Sequence, residues 1–76
     1  MNEYHKQILT DALEGRIREI TEYEVNIRNF RLAITKIGDD PDMQDFKARM
    51  ADMLASSLLE QRKAQLMLDV IREQLE

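Results

Sequence analysis

The chain has 76 residues, no cysteine, one histidine and a formal net charge of −4. That length supports one small domain that leaves much of its surface in water. The composition excludes disulfides and thiolate metal sites and argues against an imidazole-based metal centre. The charge is local. Residues 1–37 carry six basic and six acidic side chains, residues 43–76 carry five and six, and Asp39, Asp40 and Asp42 lie between them. Such a distribution argues against a DNA mimic, which spreads carboxylates along its length, and against non-specific nucleic-acid binding, which needs a dominant basic face. No apolar run approaches the roughly 18 residues of a membrane span. The residues Met1-Asn2-Glu3-Tyr4-His5 lack the pattern of a signal peptide, and no N-glycosylation sequon occurs. A cytoplasmic location is the expectation, and the absence of cysteine fits a reducing compartment.

The first predicted element is a helix over about residues 2–37. Asn2 is its N-cap and Glu3 lies in the favourable first turn. Leu9, Leu13, Ile20, Ile27 and Ile34 form one apolar line, with Tyr23, Phe30 and Ile37 beside it and Ala12 and Ile17 on the flanks. From Ile20 the steps alternate 3 and 4, which is heptad spacing. Arg16 interrupts the line, and its stem can cover apolar surface while the guanidinium reaches water or a carboxylate. Thr21 to Glu24 has the spacing of a capping box but lies inside the periodic run, so it is read as helix interior. Gly15 costs about 1 kcal/mol relative to alanine. It is read as a bend, a close approach of another backbone, or a tolerated defect.

The predicted turn is Gly38-Asp39-Asp40-Pro41-Asp42, residues 38–42. Gly38 suits the left-handed position that ends a helix. Pro41 suits the first position of the next, and Asp40 is then its N-cap. Asp42 and Asp45 lie near its positive end.

The second predicted helix covers about residues 42–75. Its main line is Met43, Met50, Leu54, Ser57, Gln61 and Ala64, continuing through Leu68, Ile71 and Leu75. Phe46, Met53 and Leu58 widen that face, and Met43, Met50, Met53 and Phe46 are expected to be ordinary core. Ser57 and Gln61 are polar members of the seam that fix register at some cost in stability. Glu14–Arg18, Glu24–Arg28 and Asp45–Arg49 are expected i, i+4 pairs. Two helices of similar length around one turn predict an all-α fold: a coiled-coil-like antiparallel hairpin forming a single domain over residues 1–76.

A second apolar stripe comprises Ala48, Ala55, Leu59, Leu66 and Val70, with Val25 and Leu32 off the main line of the first helix. A helix apolar on two sides is usually buried on two sides. These seven residues are the candidate interface. Their expected occupant is a second copy of the chain, giving a homodimer in the form of a two-fold four-helix bundle, with a different protein as the alternative.

Nothing in the sequence has the pattern of a catalytic, metal or cofactor site. His5 lacks a nucleophile nearby and is read as an exposed histidine. The aspartates at the turn lack the spacing of a calcium loop and are read as turn and cap residues. Arg16, Arg28, Arg31 and Lys36 form a candidate basic stripe diluted by Glu19, Glu22 and Glu24. The expected function is a small non-enzymatic protein–protein interaction module, an inhibitor, adaptor or assembly factor, acting through apolar helix faces. The alternative is a dimeric helical hairpin similar in architecture to the plasmid copy-number protein Rop. That likeness implies RNA binding, with Arg16, Arg28 and Arg31 converging across the dimer.

Overall fold

The computed structural model describes residues 2–76. Helix α1 spans Glu3–Ile37 and helix α2 spans Gln44–Leu75, joined by a short turn and packed antiparallel into a rod of 60 × 14 × 14 Å. Asn2 caps α1 as expected, its Oδ1 accepting from the His5 backbone N–H at 2.8 Å. Thr21 lies inside the helix, its hydroxyl donating back to the Ile17 carbonyl at 3.0 Å. The helix also runs unbroken through Gly15. A Cβ built at Gly15 would meet nothing within 4 Å, so no close approach within the chain demands a glycine there.

The turn differs from its sequence reading in one torsion and one boundary. Gly38 has the positive φ expected of it, 53°, but its ψ is −124° rather than the left-handed value. That combination belongs to the first central residue of a type II′ turn. It brings the Asp40 N–H back to the Ile37 carbonyl at 3.1 Å while the Gly38 N–H still completes α1 on Ile34. Asp40 then caps as expected, accepting from the Asp42 N–H at 3.0 Å. What it caps is a single 3₁₀ turn, Pro41–Met43, closed by Met43 N–H on the Asp40 carbonyl at 3.2 Å. The α-helix proper therefore starts at Gln44 and not at residue 42. Side chains of α2 satisfy the carbonyls left at the tip. The Gln44 amide donates to Asp40 at 2.7 Å, and the Lys47 ammonium donates to Gly38 at 2.7 Å. A cation there also suits the negative end of α1.

The seam follows the heptad lines. Ile27, Ile37, Ala64, Leu68 and Ile71 are buried, and half-buried neighbours such as Leu13, Ile20, Phe30 and Leu54 complete the layer. Arg16 stays in the line with its guanidinium 2.8 Å from the Glu19 carboxylate. Gln61 donates across to the backbone carbonyl of Ile20 at 3.3 Å, the one hydrogen bond between α1 and α2 among the described residues. The three expected i, i+4 ion pairs do not close. Among the described residues, the pairs that do are Arg16–Glu19 and Lys63–Glu60, both at i, i+3. Arg49 instead lies 5.8 Å from the centre of the Phe46 ring. Exposed pairs contribute a few tenths of a kcal/mol, too little to hold long side chains against solvation.

Two outcomes follow from this geometry. Gly38→Ala forces a side chain into a backbone region that only glycine enters freely and should cost about 1–2 kcal/mol in urea denaturation. Gln61→Leu leaves the Ile20 carbonyl with its own helical partner and adds apolar contact. It should raise stability by about 1 kcal/mol, read from the same denaturation curves.

Candidate protein-interaction surfaces

The seam leaves the rod with four long surfaces: the outer edge of each helix and two broad faces that both helices share. Each of the seven candidate interface residues sits two positions from a seam residue, as Leu59 does from Gln61, Leu66 from Leu68, and Val25 from Ile27. Two positions are about 200° of helical rotation, so all seven point away from the partner helix. All seven are exposed, Leu66 at 63% and Leu59 at 48%. They do not form one surface. Ala48, Ala55, Leu59, Leu66 and Val70 lie on the outer edge of α2, whereas Val25 and Leu32 lie on the outer edge of α1, on the far side of the rod. A single two-fold contact between hairpins cannot cover both.

One broad face carries apolar side chains that the sequence reading assigned to the core. Phe46 and Met53 are exposed at 40% and 48%, and Met43 is exposed as well, while Met50 is half-buried in the seam. Met67, Ala12, Gly15 and Ile71 line an open groove of 510 Å³ on this face, beside the Arg16–Glu19 pair. A neighbouring groove at the open end is lined by His5, Ile8, Leu9 and Gln74. Phe46 and Met53 fall on the line of Met67 and Gln74 at seven-residue steps and so belong to the same face. The heptad spacing of 46, 53 and 67 was the signal available for it in the sequence.

The basic residues are divided. Arg28 and Arg31 line one groove together with Glu24 and Leu32, whereas Arg16 lies in the groove of Met67 and Ile71 with its charge engaged by Glu19. Lys36 is exposed in the last turn of α1. Within one chain these four do not converge. His5 is exposed and rests near Tyr4, with ring centres 6.4 Å apart. The tip aspartates serve the turn through Asp40, and among the described residues no three histidine or carboxylate side chains gather as a metal-binding group. No helix among the described residues is long and apolar enough to cross a membrane.

No family model, curated protein or solved structure matches this chain.

The separation of seam from outer edge sets up a paired test. Leu68 is 4% exposed, and Leu68→Asp buries an unpaired charge. It should cost about 3–5 kcal/mol and abolish most helicity by circular dichroism. Leu66→Asp, at a position open to water, should leave helicity intact and change stability by less than about 0.5 kcal/mol. Equal loss in both variants would overturn this division of the surface.

Proposed function

We propose that the chain is a small non-enzymatic protein–protein interaction module, an inhibitor, adaptor or assembly factor, that works as a homodimer and docks other proteins by its apolar helix faces. The supporting observation is a mismatch of area. The rod has an accessible surface of 5910 Å². A compact monomer of its mass, 9.0 kDa, exposes about 4,900 Å². The surplus is roughly 1,000 Å², close to the ~800 Å² that each partner of a standard interface covers. Its exposed large apolar side chains include Phe46, Met53, Leu59, Leu66 and Val70. In this reading self-association covers one surface, and the outer edge of α2, with Leu59, Leu66 and Val70, engages a different protein. Apolar anchors there supply affinity, and the surrounding charges supply discrimination.

Sedimentation equilibrium over a wide concentration range tests the proposal, with a dimer as the expected species. A helical monomer at every concentration would overturn self-association and leave all of the apolar surface to a different protein. Salt-sensitive binding of structured RNA by the dimer would favour the Rop-like alternative instead.

A further inference from the structure

We propose that two copies pack through the broad face carrying Phe46, Met53 and Met67, pointing the same way, tip beside tip, about a two-fold axis that runs along the rod. This deepens the homodimer reading and rests on it.

The symmetry decides which helices meet. An axis along the rod keeps every residue at its own level and lays α1 of each copy on α2 of the other. Each helix then has antiparallel neighbours on both sides, the arrangement in which helix dipoles oppose one another. The two rows that meet are unequal in size. On α1 the seven-residue line of this face is Ala12, Glu19, Asn26 and Ala33, with Gly15 beside it. On α2 it is Phe46, Met53, Glu60, Met67 and Gln74. A row of short side chains faces a row of long ones.

The levels agree along the rod. Met67 lines one groove with Ala12 and Gly15 of its own chain, so the three share a level. The axis preserves that level and brings Met67 of the second copy over Ala12 and Gly15, where the space above Gly15 is empty to beyond 4 Å. No contact within the chain calls for a glycine at that position; the thioether of the second copy does. Nearer the tip, the hydrogen bond from Gln61 to Ile20 gives a common reference. Phe46 and Met53 lie fifteen and eight residues from it on α2, and Ala33 lies thirteen from it on α1. Ala33 therefore falls between the two large side chains that come down on α1. In the middle, Lys63 and Glu19 lie within two residues of the same reference, so Lys63 of one copy stands against Glu19 of the other. The pairs that face each other there, Arg16–Glu19 and Lys63–Glu60, are neutral together.

A two-fold that turned one rod end for end would lay α2 on α2 and α1 on α1. About the middle of the rod it sets Glu19 against Glu19 and Glu60 against Glu60, with long row on long row and short on short. The opposite broad face lacks the match in size, since its middle lines are Ile17, Glu24 and Arg31 on α1 and Leu58, Gln65 and Arg72 on α2. The area also suffices. A face 60 Å long and 14 Å wide is comparable with the ~800 Å² that each partner of a standard interface covers.

The native chain has no cysteine, so one spin label reports position without ambiguity. Asp39→Cys places it on the exposed tip, away from the proposed contact. Helicity is checked by circular dichroism and the label-to-label distance is read by pulsed electron resonance. Packed helices lie about 10 Å apart, so the two labels should stand within about 25 Å. A distance approaching the 60 Å length of the rod would overturn this arrangement and leave the homodimer standing. A monomer by sedimentation at every concentration would overturn both. The face is tested separately. Met67→Glu sets a charge over Ala12 and Gly15 in both halves of the dimer and should weaken dimerisation on the order of 100-fold. Gly15→Leu improves helix propensity and fills the seat of Met67, so it should weaken dimerisation at least about tenfold while helicity is kept. Leu66→Glu should leave association unchanged. Loss of the dimer in Leu66→Glu with none in Met67→Glu or Gly15→Leu would overturn the choice of face.

Discussion

Everything in this molecule depends on a single layer of side chains between two helices. Ile27, Ile37, Ala64, Leu68 and Ile71 are the buried set, and no side chain among the described residues is completely enclosed. A globular domain of this length surrounds its core on all sides. Here each helix is covered along one stripe, and the rest of its circumference meets solvent. Hydrophobic stabilisation scales with area removed from water, so a one-layer seam gives a narrow margin against the conformational entropy of ordering the chain. The same economy leaves apolar residues outside the seam available for contacts with other molecules.

Polar groups then decide how the layer is aligned. Apolar stripes tolerate sliding, since one heptad resembles the next. Gln61 does not, because its amide reaches one carbonyl, that of Ile20, on the opposing helix. At the tip, Lys47 and Gln44 tie α2 to the carbonyls of Gly38 and Asp40. Register is thus fixed near the middle by one hydrogen bond and at the turn by two, and the apolar residues between these points fill the positions that remain.

Much of this was legible in the residue pattern. The lines through Ile20, Ile27 and Ile34 and through Leu54, Ala64 and Leu68 have one reading, and the caps at Asn2 and Asp40 follow from side-chain chemistry. The ψ of Gly38 was not legible, because glycine admits either sign, and the choice is made by how the helices must meet. Lys47 reads in sequence as a solvated charge; its role depends on carbonyls that converge only once the turn exists. Phe46 and Met53 read as core because periodicity locates the centre of a buried stripe but not its width, and a single partner helix covers a narrow one. The seven off-seam residues looked like one interface for a related reason: distance from the seam says nothing about which side of the rod a residue faces until the two helices are paired. Which molecule covers each exposed face has no signature in a single chain at all.

The placement of the buried residues relative to the turn bears on how the hairpin forms. Chain ends near a tight turn meet at small entropic cost, so the first contacts to close are those beside Gly38 and Asp40. Yet Ala64, Leu68 and Ile71, three of the five buried among the described residues, lie in the final third of the chain, far from that turn. The segment that closes most easily holds less of the burial, and the segment that holds more must wait for the longest loops. Neither half is self-sufficient. The two helices should therefore zip together as one cooperative unit, with opening at the distal end undermining the tip as well.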